Sequence, residues 1–119
     1  MMRAMWSAAS GMVAQQKNID VISNNISNVN TVGFKGSRAD FQDLIYQIVR
    51  PAGTLNQLGT EIPTGIEIGH GTQLVATPTR FSQGDLKDTE DSLDLAIQGA
   101  GFFKIQMPDG QFSYTRAGA

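Results

Sequence analysis

The chain has 119 residues, with nine Lys or Arg against eleven Asp or Glu, one histidine and no cysteine. A net charge of −2 with no basic half argues against nucleic acid as a partner, and the missing cysteine removes disulfide frameworks and thiolate metal sites. The lone His70 cannot make a multi-histidine metal site, and no run approaches the roughly 20 apolar residues that span a bilayer as a helix.

Residues 1–30 read as one long helix. Met5, Met12, Ile19 and Ile26 are seven apart, and Ala8, Ile22 and Val29 take the position three further on, which is the spacing of a helical seam. Gln15 is the one polar residue on it. Gly11 weakens the helix by about 1 kcal/mol relative to alanine, whereas burying one large apolar side chain is worth roughly 1.5–3 kcal/mol. Docking of the seam therefore decides its order, and the seam needs a partner. A core helix of a compact domain and an intermolecular coiled coil fit the pattern equally. Arg3 ahead of Ala4–Ala14 has the start of a secretory leader, but Ser7, Ser10 and Gly11 interrupt it, so no cleaved signal is expected.

Four asparagines, Asn24, Asn25, Asn28 and Asn30, crowd the end of this helix, and Gly33 is placed to stop it in the left-handed conformation. Amides both donate and accept, so Asn28 and Asn30 are suited to terminating the helix. Asn24 and Asn25 either face water or satisfy an adjacent subunit.

Residues 31–79 read as an extended arm. An apolar run, Leu44–Val49, ends at Arg50-Pro51. Between Pro51 and Thr72 lie five glycines, two prolines and four threonines, too few apolar side chains for a packed core. Short strands are predicted at Gly65–Ile68 and Gln73–Thr77. Residues 80–119 read as an antiparallel β-meander: Leu93–Ile97, Phe102–Met107, a turn at Pro108-Asp109-Gly110 and a return over Gln111–Thr115. The fold class is α+β.

Little here points to chemistry. Gly99-Ala100-Gly101 lacks the third glycine of a dinucleotide loop and precedes a strand, so a hairpin turn is the better reading. Asp85, Asp88, Glu90, Asp91 and Asp94 do not follow calcium-loop spacing and read as a solvated acidic loop. His70 has no nucleophile-elbow signature beside it. No enzymatic activity, metal or cofactor is expected.

Met2-Arg3-Ala4-Met5-Trp6 with Ala8–Met12, then Asn24–Asn30 running into Thr31-Val32-Gly33-Phe34-Lys35, resembles the N-terminal signature of the bacterial flagellar rod and hook axial proteins. Gln83–Leu86 with Thr89, Leu93–Phe103 and Tyr114–Gly118 resemble that family's second signature. Within the family, the Met1–Trp6 start and Ser37–Gln47 followed by Arg50-Pro51 are most similar to the distal rod branch. The resemblance covers the whole chain and runs out at Ala119, at about half the family's usual length, so an N-terminal fragment is expected.

The resemblance implies an elongated subunit of a helical tube, exported by the flagellar type III route, with residues 1–30 as tube helix and residues 80–119 as the start of an outer β domain. It implies that the seam pairs with a C-terminal helix, and that Met5, Ala8, Met12, Gln15, Ile19, Ile22, Ile26, Val29, Asn24, Asn25, Asn28, Gly33 and Phe34 lie at subunit interfaces. It further implies a homo-oligomeric polymer meeting proximal rod and hook axial proteins and the surrounding P- and L-ring proteins, in the periplasmic rod of the basal body. A rival reading is a carbohydrate- or peptide-binding β module on an oligomerising helical stalk, which aromatic residues gathered on one β face would favour.

Overall fold

A computed structural model describes residues 1–55 and 58–119; Asn56 and Gln57, within the expected arm, lie outside the described residues. Helix α1 spans Met2–Ser27, within a few residues of the predicted ends. Its first turn carries no acid and its last turn no base, so the helix dipole is left to other partners. The asparagines supply them at the C-terminus. The Asn28 amide donates to Asn24 O (2.9 Å) and Asn24 Oδ1 (2.7 Å), and the Thr31 N–H donates to Asn28 O (3.0 Å). Gly33 then turns the chain at φ +70°, the left-handed geometry the sequence predicts.

The described residues fall into two units. The first takes Met1–Asp20 and Ala39–Thr77. Its strands are β1 (Asp40–Asp43), β2 (Tyr46–Arg50), β3 (Ile66–Gly69) and β4 (Thr72–Ala76), paired antiparallel as β1 with β4 and β2 with β3. Each ladder carries one irregularity, between Asp40 and Phe41 in the first and between Ile48 and Arg50 in the second. The expected arm is thus more ordered than its composition implied: β3 and β4 stand within a residue of their predicted places, and each has found a partner in the segment around Leu44–Val49. Between β2 and β3 the one pairing among the described residues is the single bridge Leu55 to Glu61.

The second unit takes Val21–Arg38 and Pro78–Ala119. It holds a two-stranded hairpin of β5 (Phe103–Gln106) and β6 (Phe112–Thr115). Pro108-Asp109-Gly110 makes the turn, with Gly110 at φ +80° and the Met107 N–H donating to Gln111 O (2.8 Å). The predicted meander is reduced to this hairpin. Leu93–Ile97 forms no strand, because its one backbone bond to the hairpin region runs from Leu95 N–H to Gly118 O (3.0 Å). Nor does Gly99–Gly101 turn between paired strands; its carbonyls face the Arg116 side chain instead.

A core is nearly absent. Among the described residues Ala14 is the single buried hydrophobic side chain, and no polar side chain is buried. Large apolar side chains along α1, among them Met5, Met12, Ile19 and Ile26, stay exposed.

Candidate functional site

The seam that the sequence predicts is on the outside of α1. Met5, Met12, Ile19, Ile22, Ile26 and Val29 are all exposed, Met12 and Ile19 at 68% and 61%. Ala8 and Gln15 complete the stripe and are exposed as well. A shallow groove runs along it past Ala8, Gly11, Met12, Gln15 and Ile19. Leaving this many large apolar groups in water forgoes roughly 1.5–3 kcal/mol for each.

The chain's own contacts use a different face of the helix, one residue back along each turn and so about 100° around. In the first unit that face is small. Ser7, Ser10 and Gly11 are half-buried and Ala14 is fully so. Gly71 seats here at φ +117°, where an added Cβ would strike the Ser10 hydroxyl and sit 3.5 Å from Ser7 Cα. Thr72 N–H donates to Ser10 Oγ (3.4 Å), and Ser10 Oγ donates in turn to Ser7 O (2.7 Å). Arg3 donates from Nη1 to Gln47 Oε1, tying the helix start to β2.

In the second unit Asn25 does the corresponding work. Its Nδ2 donates to Ser37 O (2.6 Å) and its Oδ1 accepts from Ser37 N–H (3.0 Å), so one amide side chain satisfies both backbone groups of Ser37 as a neighbouring strand would. The solvent-facing alternative for Asn25 is therefore overturned. Asn24 stays exposed, with its carbonyl and side chain taken by Asn28. Gly33 is wedged against the backbone of Arg116 and Ala117, where a Cβ would lie 2.8 Å from Arg116 C and 2.6 Å from Ala117 N. Phe34 is half-buried next to it. Ser37 bridges Thr79, and Arg80 N–H donates to Gly36 O (2.8 Å).

Arg116 organises the rest of this unit. Its guanidinium donates to the carbonyl oxygens of Ile97 (2.9 Å), Gly99 and Gly101 and to Gln83 Oε1 (2.7 Å). The planar guanidinium presents five donors in a fixed, spread fork, against three on the compact ammonium of a lysine. Sequence reading missed Ser10, Ser37, Gly71 and Arg116. The one available signal was the second stripe of α1, Ser7, Gly11, Ala14, Asn18, Val21 and Asn25, which repeats with the same spacing as the apolar seam but, Val21 apart, in small and amide residues.

Among the described residues no group of His, Asp and Glu could hold a metal ion, and no helix is long and apolar enough to cross a membrane. The aromatic residues do not make a binding platform. Phe112 and Tyr114 share a hairpin face with Lys104, whose Nζ covers the Phe112 ring at 3.8 Å, while Phe103 lies on the opposite face. Phe102 packs edge-on against Phe81.

One face of α1 is thus bare and apolar, and sequence comparison says what the chain is similar to. A family described as "Flagella basal body rod protein" matches residues 5–35, and "Flagellar hook protein FlgE/F/G D1 domain" matches residues 96–119. The chain is thus similar at both ends to the flagellar rod and hook axial proteins. Its similarity is greater to basal-body rod proteins FlgG than to hook proteins. It is 55% identical over 119 residues to the FlgG of Borreliella burgdorferi, covering 100% of this chain and 45% of that protein. With the FlgG of Caulobacter vibrioides it shares 50% over 118 residues, 98% of this chain and 45% of the relative. The hook protein FlgE of Helicobacter mustelae is 44% identical over 119 residues, 99% of this chain and 26% of its own length. The chain thus spans about half the length of the rod proteins it matches.

Proposed function

We propose that this chain is the N-terminal part of a structural subunit of the bacterial flagellar rod, in the distal branch of the family. The subunit polymerises into a hollow helical tube in the periplasmic part of the basal body, transmits torque from motor to hook, and catalyses nothing. In that polymer α1 is the tube helix, and its seam is covered by helices of the same axial assembly. Proximal rod and hook axial proteins meet it at the two ends, and the P- and L-ring proteins surround it.

The observation that carries this reading is the bare seam of α1, Met5 to Val29, on a chain with a single buried hydrophobic side chain among its described residues. Helices of neighbouring subunits, as in a helical polymer, would cover that seam.

The test is a carboxylate in the seam. Met12→Asp or Ile19→Asp in the full-length rod protein puts an unpaired charge into an apolar interface at several kcal/mol per subunit. Rod assembly and motility should be lost while amide protection of the β5–β6 hairpin stays at its wild-type level. Tubes forming at the wild-type concentration would overturn the reading.

A further inference from the structure

We infer that Gln15 sets the register in which the α1 seam docks, and that the seam's occupant is an uncharged amphipathic α-helix of the axial assembly bearing one amide or hydroxyl side chain opposite it. The inference rests on the rod-subunit reading given above.

In a heptad frame with Met5, Met12, Ile19 and Ile26 at the a positions, the d positions are Ala8, Gln15, Ile22 and Val29. Register and partner choice in paired helices are ordinarily set by charges at the flanking e and g positions, or by a lone polar residue on the seam. Here the flanks hold no charge. The e positions are Met2, Ala9, Gln16 and Ser23, and the g positions are Ala4, Gly11, Asn18 and Asn25. Of the three charged residues of α1, Arg3 and Lys17 lie at f, and Asp20 lies at b, beside Ile19 at the edge of the groove. A partner helix with charged flanks would gain nothing for their desolvation, so the complementary occupant is uncharged there too.

With the flanks silent, discrimination falls to the seam itself, and seven of its eight positions are apolar and nearly interchangeable. A slip of one heptad, about 10.5 Å along the axis, replaces apolar by apolar everywhere except at Gln15. That side chain is exposed and holds no hydrogen bond among the described residues. Once the seam is covered, its amide has to be met by a hydrogen-bonding group. Leaving it unmet weakens association by roughly ten- to a hundred-fold, enough to exclude the slipped pairings.

The test compares Gln15→Leu with Gln15→Asn in polymers of the full-length rod protein, reading the critical concentration for assembly and the number of helical symmetry classes in electron micrographs. Gln15→Leu strands the partner's amide or hydroxyl against apolar groups in every register, so assembly should weaken by roughly ten- to a hundred-fold and, with no register favoured, give more than one class. Gln15→Asn should keep a single class. A single class in Gln15→Leu, or multiple classes in both variants, overturns the assignment to Gln15. Assembly of Gln15→Leu at or below the wild-type critical concentration also overturns it, since that places the amide in water and not against a buried polar group. Met12→Asp, run alongside, separates the two readings: if it assembles normally, the seam is not the interface and the rod-subunit reading falls independently of the Gln15 result.

Discussion

Gly33→Ala isolates the joint between the helix and the hairpin unit. Alanine at φ +70° bears the left-handed penalty of about 1–2 kcal/mol. Its Cβ would also stand 2.6 Å from Ala117 N, 2.8 Å from Arg116 C and 2.9 Å from Ala117 Cα, all backbone atoms that cannot rotate away. Relief requires a backbone shift, and overpacking of that kind costs typically 1–3 kcal/mol. The expected loss is therefore about 2–5 kcal/mol. Two other glycines separate the contributions. Gly110 has φ +80° with nothing within 4 Å of an added Cβ, so Gly110→Ala carries the conformational penalty alone. Gly65 lies outside the left-handed region, but a Cβ would meet Arg50 O at 2.8 Å, so Gly65→Ala carries the contact penalty alone. Amide exchange in the β5–β6 hairpin measures the first two, and exchange in β2–β3 measures the third. Gly33→Ala should accelerate exchange well beyond Gly110→Ala. If the two glycines cost the same, the wedge against Ala117 contributes nothing and the reasoning fails.

Asn25→Ala strips both bonds from Ser37 and should destabilise the second unit by about 1–3 kcal/mol, with Asn25→Asp intermediate because the acceptor for Ser37 N–H survives; equal exchange at Ser37 and Arg80 in wild type and Asn25→Ala would count against it. Arg116→Lys keeps the charge but loses the fork, so the backbone of 97–101 should lose its order in nuclear magnetic resonance relaxation, and an unchanged loop would show that charge alone holds it. The Tyr46 hydroxyl is held protonated above its ordinary 10.0, first by its hydrogen bond to Asp43 and then by the Asp43 and Glu67 carboxylates. A raised folded-state pKa contributes stability that is present below about pH 10 and lost as pH rises through the higher folded value, so the β2–β3 ladder should loosen in strong alkali. Phenolate absorbance in a Tyr114→Phe background should titrate lower after Asp43→Asn, and an unmoved midpoint would refute the pairing.

What could be read in the sequence was whatever a residue declares by itself or through neighbours a few places away. The α1 spacing, the Gly33 stop and the Pro108-Asp109-Gly110 turn are of that kind, and each is where it was predicted. β3 and β4 were legible as strands, but their pairing with residues near Leu44 was not, because period-two alternation says nothing about a partner elsewhere in the chain. Leu93–Ile97 alternates as a strand should, yet tertiary context decides otherwise: Arg116 takes the carbonyl of Ile97 and those of the glycines after it. The seam was legible as apolar and helical. That the chain would hold α1 by the neighbouring small-residue face depends on Ser37, Gly71 and Ala117, far off in sequence.

The two units also differ in when they can form. The first needs nothing beyond Thr77, and its Ser10 to Thr72 contact closes 62 residues. The second cannot close until Arg116 and Ala117 exist, since the seat for Gly33 and the fork that gathers Ile97, Gly99 and Gly101 both lie at positions 116–117. The closure entropies scarcely differ, because each doubling of a loop adds only about 0.6 kcal/mol. Order of emergence, not energy, is what separates them. A chain threaded through a channel N-terminus first would complete Met1–Asp20 with Ala39–Thr77 while Val21–Arg38 still waited for its other half, and premature collapse would be confined to the half that arrives early.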